Sequence, residues 1–259
     1  MLRGLYTSAA GMMTVQEQTA TTTNNLANVD TMGFKADLLR FVSAPAIHTW
    51  KIDDPNYKDK DGQTHPEYLG LTNCGTADTE IWRNLDQGQL IHTGLPLDCA
   101  IEGPGFFRVI SDTGEEVYSR DGQFKHHPSG FLTDNLGRRV QGVNGDIFLG
   151  QSIDIYINQS GEVHVDGEAV GQIDLAYFSD PQQQLSKLGE NAWRSSVAPD
   201  GVGDSKVRGG YIERSNVDTV SCIAELIVQL RHYQAMEKSV TTANDTLNIA
   251  VNQVGKMPQ

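Results

Sequence analysis

The chain has 259 residues, room for one large or two ordinary domains with a sizeable core. Its 33 acidic against 20 basic residues leave a formal charge of −13, which opposes nucleic-acid binding and adhesion to anionic membrane surfaces. With 38% hydrophobic residues and no apolar run near the ~18–20 residues of a membrane span, it reads as a folded chain with no direct membrane insertion. Between Leu2 and Leu26 a three–four spacing runs through Leu2, Leu5, Ala9, Met12, Gln16, Thr19, Thr23 and Leu26. Its ends are apolar and its middle polar, which predicts a helix with a weak seam. The segment Asn28-Val29-Asp30-Thr31-Met32-Gly33 supplies the stop. Gly4, Thr7, Ser8 and Gly11 break up the apolar positions after Arg3, so no secretory leader is read there and export needs another route.

The stretch 43–92 holds a polar loop, Asp53 to Gly62, and is expected as an extended connecting segment. From 93 to 194 turn signals recur at Gly114, Gly122, Gly130, Gly137, Gly145, Gly161 and Gly167. Between them lie short strand-like runs at Phe106–Ile110, Val117–Arg120, Ile153–Ile157, Glu162–Val165 and Ile173–Phe178. That rhythm predicts an antiparallel all-β domain. Residues 195–211, rich in Ser, Gly and Asp, read as a flexible connection. Ser215 and Asp218 then fit a capping box. A heptad-like series follows it: Ile223, Leu226, Leu230, Tyr233, Glu237, Val240, Asn244, Leu247, Val251, Val254. No Pro or Gly falls between Asp218 and Val254, so a helix of about 55 Å is predicted, with Glu237 and Asn244 as polar, register-setting members of its seam. The expected fold class is α+β, with N- and C-terminal helices (1–42 and 212–259) pairing in a coiled-coil layer and an all-β middle domain.

The candidate chemistry is thin. Cys74, Cys99 and Cys222 are odd in number and far apart, which suits neither a disulfide framework nor zinc. Gly103-Pro104-Gly105 begins like a dinucleotide fingerprint, but Arg108 stands where the third Gly belongs. Asp59-Lys60-Asp61-Gly62 would place Tyr57 and Tyr68 at the outer ligand positions of a calcium loop, where carboxylates are required. Adjacent His126 and His127 on a strand would face opposite ways and cannot share one metal. No catalytic residue, cofactor or metal is therefore expected. Glu102, Glu115 and Glu116 are the carboxylates a hydrolase reading would have to use. Asn24, Asn25, Asn28 and Asp30 fit two readings equally, helix capping or a polar interface between subunits.

Several blocks carry a resemblance. Asn24-Asn25-Leu26-Ala27-Asn28-Val29-Asp30-Thr31-Met32-Gly33-Phe34-Lys35 resembles the N-terminal signature of bacterial flagellar rod and hook proteins. Thr93–Asp98 with Ala100–Phe107, Tyr118–Phe124 and Gly210–Val217 are similar to further signatures of the rod proteins, in the same order. The resemblance covers essentially the whole chain. It implies a non-enzymatic structural subunit of the basal-body rod, whose partners are other rod subunits, copies of itself and the flagellar type III export apparatus. It also implies a place in the periplasmic rod, reached without a cleaved signal peptide. Lys35 to Phe41 and Ala44-Pro45 look more like the proximal-rod than the distal-rod protein; the distal-rod subunit and a rod-associated peptidoglycan hydrolase are the alternatives. The assembly interface expected on this basis comprises Leu5, Ala9, Met12, Asn24, Asn25, Leu26, Asn28, Gly33 and Phe34 from the first signature and helix. From the last it takes Ser215, Asn216, Val217, Ile223, Leu226, Leu230, Tyr233, Val240, Leu247 and Val251.

Overall fold

The computed structural model describes residues 2–43, 46–51, 67–72, 76–111, 113–152, 154–189, 191–201 and 203–254. The chain divides into two compact units. One holds residues 1–23, 38–82 and 221–259, and the other holds 24–37 and 83–220.

In the first unit, helix α1 (Leu2–Ala27) packs on the long C-terminal helix. In the second, helix α2 (Pro181–Gln184) is a single turn capped by Asp180. The long helix, α3 (Thr219–Ile249), relaxes into a π-helical turn at Ala250–Val254. It starts later than the capping box implied. Asp218, not Ser215, sits at the N-cap position, its carboxylate accepting from the Val220 N–H at 3.3 Å.

The seam follows a three–four rhythm on both helices. On α3 it runs through buried Cys222 and Gln229, with Leu226, Met236, Val240, Ala243 and Leu247 half-buried. On α1 Val15 and Thr22 are buried, and Leu5, Ser8, Met12 and Thr19 are half-buried. Half of each expected seam therefore holds, and the alternate members move by one residue. Ala9, Gln16 and Thr23 are exposed beside Ser8, Val15 and Thr22, and Ile223, Leu230, Glu237 and Asn244 are exposed beside Cys222, Gln229, Met236 and Ala243. The reason is close approach. A Cβ on Gly11 would lie 3.0 Å from the Met236 sulfur, so at this crossing the helices meet through a glycine and a flexible methionine, with Glu237 outside the seam.

The stretch 43–92, expected as an extended connection, carries strands. Asp37–Ser43 pairs with Thr76–Arg83, and Ile47–Lys51 pairs antiparallel with Glu67–Thr72. The polar loop Asp53–Gly62, Ala44-Pro45 and Cys74 lie outside the described residues.

The second unit is built on a nine-stranded sheet. Its spine runs Leu185–Gly189, Ala192–Ser195, Glu116–Ser119, Phe106–Ile110, Arg139–Gly142, Leu132–Thr133, Lys125–His126. A three-stranded meander, Ile155–Ile157, Glu162–Val165 and Glu168–Gln172, stands beside it. Strand alternation splits the core cleanly. Phe107, Val109 and Val117 enter one cluster with Leu132, Val140 and Val163, while their neighbours Phe106 and Tyr118 enter another with Phe178, Leu185 and Trp193. Gly122 is required by contact rather than by backbone angle: a Cβ there would sit 1.6 Å from the Cys99 carbonyl oxygen. Two later strands return to earlier ones, Lys206–Gly209 on Cys99–Glu102 and Tyr211–Glu213 on Leu90–His92. Part of the expected flexible connection at 195–211 is thus paired strand.

Candidate functional site

The signature segments converge inside the second unit. Asn25 is buried, its amide donating to the Asp37 carbonyl at 2.7 Å and accepting from the Asp37 N–H at 2.9 Å. Asn28 donates to the Asn24 carbonyl at 2.9 Å and accepts from Thr31. Asn28 thus caps the helix end, whereas Asn25 ties that end to the main chain of Asp37. Asn216 braces three segments: its side chain accepts from the Ala36 N–H at 2.9 Å and donates to the carbonyls of Asn84 and Asp86 at 2.9 and 3.1 Å. Gly33 is held at φ +67°, where its N–H donates to the Glu213 carbonyl at 2.8 Å. Phe34 is buried under the Lys187 ammonium, 4.2 Å from the ring centre. Lys187 in turn pairs with Asp37 at 2.8 Å.

At the centre lies a buried charge cluster. Lys35 Nζ donates to Glu213 Oε1 at 2.6 Å and to the Asp86 carbonyl at 2.7 Å. Arg120 Nη1 reaches Glu213 Oε2 at 3.2 Å, its Nη2 donates to the Gly103 carbonyl at 2.9 Å, and its guanidinium lies 5.2 Å from the Phe106 ring centre. The Gly88 N–H completes the carboxylate shell at 2.8 Å. Side-chain exposures are 1% for Lys35, 4% for Arg120 and 0% for Glu213. Burial pushes the Lys35 amine below its ordinary value even though Glu213 draws it upward. Such a cluster contributes little net stability but makes removal of one partner costly. Sequence reasoning passed over these three residues; the available signal was a charged residue directly after an apolar one in Gly33-Phe34-Lys35 and Tyr211-Ile212-Glu213.

The helical unit shows a different kind of site. On α3, Val220, Ile223, Ile227 and Leu230 fall on one outward stripe, and Ile223 and Leu230 are 47% and 54% exposed. On α1, Tyr6, Ala9 and Met13 do the same. The expected interface residues therefore separate. Ala9, Ile223, Leu230 and Val251 face outward, Leu5, Met12, Leu226, Val240 and Leu247 belong to the seam, and Tyr233 lies at its edge. Asn24 is exposed, and Leu26, Ser215 and Val217 are half-buried.

The carboxylates a hydrolase would need are all engaged. Glu102 pairs with Arg208 at 2.7 Å, Glu115 with Arg194, and Glu116 with Arg108 at 2.8 Å and the Tyr118 hydroxyl at 2.7 Å. His126 and His127 are exposed and bond to the Gly150 carbonyl and the Ser129 hydroxyl. Among the described residues no group of three or more His, Cys, Asp or Glu is placed to hold a metal ion, and no helix is long and apolar enough to cross a membrane.

Three family models match the chain. Residues 5–35 match the flagella basal body rod protein model, 100–165 the flagellar hook protein FlgE/F/G D1 domain, and 208–253 the flagellar basal body rod FlgEFG protein C-terminal model. Each matched segment supplies one member of the buried cluster: Lys35, Arg120 and Glu213. The chain is 31% identical to the flagellar basal-body rod protein FlgF of Caulobacter vibrioides, over 99% of this chain and 100% of the relative. It is 32% identical to the rod protein FlgG of Bacillus subtilis, over 97% and 99%. The flagellar hook-basal body complex protein FlhO of Bacillus subtilis is 26% identical over 99% and 100%.

Proposed function

The chain belongs to the flagellar basal-body rod protein family, and from that premise we propose that it is a structural, non-enzymatic subunit of the rod that assembles through its terminal helices. The observation that carries this reading is the outward stripe Ile223, Ile227 and Leu230, which α1 leaves exposed. A stripe at helical spacing on a long helix is a surface for a further helix, and in a rod that helix belongs to the next subunit. Contacts that repeat head to tail without closing generate a polymer. Each can be modest, because a subunit in such a lattice touches several neighbours. Its partners are other rod subunits and further copies of itself, delivered through the flagellar export apparatus to the periplasmic rod. The like match to FlgF- and FlgG-named relatives leaves the segment Lys35–Phe41 as the support for a proximal position.

The test is genetic and biochemical. Deleting the gene should abolish motility, a tagged full-length copy should restore it, and the tag should be found in isolated basal bodies. The purified chain should leave murein uncut. A motile deletion strain, or murein cleavage by the pure chain, would contradict the reading.

A further inference from the structure

The seam between α1 and α3 contains a directional polar contact. Gln229 Nε2 donates to Thr22 Oγ1 at 2.9 Å, with both side chains buried. The Thr22 hydroxyl donates onward to the Gln18 carbonyl at 3.0 Å. The other oxygen of the contact, Gln229 Oε1, is buried with no hydrogen-bond partner among the described residues. A seam optimised for stability would place an apolar side chain here.

The surroundings explain what the pair supplies instead. Of the run Thr19-Ala20-Thr21-Thr22-Thr23, Thr19 and Thr22 face this stretch, while Ala20 and Thr23 are exposed beside them. Thr19, Thr21, Thr22 and Thr23 each bond back to the carbonyl four residues earlier. Their outer surfaces are therefore nearly equivalent methyl-bearing faces. Rolling α1 by one residue position, or sliding α3 by one turn from Thr22 towards Thr19, exchanges one such face for another. Glu237 and Asn244, the polar members the sequence offered for setting register, point away from the seam.

We propose that the Gln229–Thr22 hydrogen bond fixes the alignment of α3 on α1, lowering the stability of the pair while keeping the outward stripe in one position for the next subunit. Gln229 is thus a positioning residue for assembly. This rests on the rod-subunit reading for its purpose, but the alignment itself is measurable without it.

The test uses the full chain with its three native cysteines replaced by alanine and nitroxide labels attached through Gln16→Cys and Gln234→Cys, both exposed positions. Electron–electron distance measurement should give one narrow distribution. Gln229→Leu should broaden or split it while raising the thermal midpoint by roughly 2–4 °C. The double variant Thr22→Val with Gln229→Leu should do the same, and Thr22→Ser, which keeps the hydroxyl, should retain the narrow distribution. In cells, Gln229→Leu should lower basal-body number at least severalfold. A single narrow distance in both apolar variants would overturn the proposal, and so would a lowered midpoint or loss of folding in both. A broadened distribution with a parent chain that never enters basal bodies would uphold the alignment role and overturn the rod reading alone.

Discussion

Lys35, Arg120 and Glu213 place two cations around one carboxylate in a region closed to water, and the members are not equivalent. Removing the carboxylate leaves two uncompensated buried charges, whereas removing Lys35 leaves the Arg120–Glu213 pair and the Gly88 N–H in place. Glu213→Gln should therefore cost about 3–5 kcal/mol and Lys35→Met about 1–3 kcal/mol, read from urea midpoints of the full chain. The reverse order would show that Lys35, not Glu213, anchors the cluster. The cluster also carries a pH signature. Because burial lowers Lys35 from 10.5, the unfolded chain binds more protons than the folded one between the lowered value and 10.5. The Lys35 contribution to stability then rises with pH across that window and is flat below it. Titrating Lys35→Met beside the parent chain should show the parent gaining on the variant as pH approaches 10.5; parallel curves would contradict this. Cys99 is fully buried and burial drives its thiol pKa upward, so it is a packing residue. Cys99→Ala should cost on the order of 1 kcal/mol and leave assembly intact, as a melting curve and a motility assay would show.

At the level of elements, Leu230→Asp distinguishes the seam from the outward stripe. Leu230 is 54% exposed in the single chain, so the substitution should move the melting transition of the purified protein little. In the assembled rod it forfeits roughly 1–2 kcal/mol of burial and adds several kcal/mol of carboxylate desolvation, repeated at every subunit. Basal bodies should be lost while the fold remains, and normal rods would show that the stripe is not a contact. Both helices and the β middle were legible in the sequence, because a three–four rhythm and turn-spaced short strands are local signals. The choice between Cys222 and Ile223, or between Gln229 and Leu230, was not. α3 is apolar on two faces, and the face that meets α1 is selected by the close approach at Gly11, which is a property of two helices together. The strand pairings of 37–51 and 67–83 were hidden for the same reason, since neither partner is identifiable until the other is placed. Asn25 and Asn216 were expected at the assembly interface, but their contacts depend on which main-chain N–H and carbonyl groups the fold brings within hydrogen-bond reach.

As a whole molecule, the chain combines a unit with a buried apolar core and a buried charge cluster with a unit whose long helix keeps an apolar stripe in water. That asymmetry is what a polymerising subunit requires: one part folds on its own contacts, and the other completes its contacts only in company. The direct measurement is an electron cryo-microscopy map of basal bodies isolated from cells carrying a tagged copy of the chain. Density for the chain should appear in the rod, with Ile223, Ile227 and Leu230 covered by a helix of an adjacent subunit. Rods in which this stripe of α3 faces solvent, or basal bodies that lack the chain, would contradict the account.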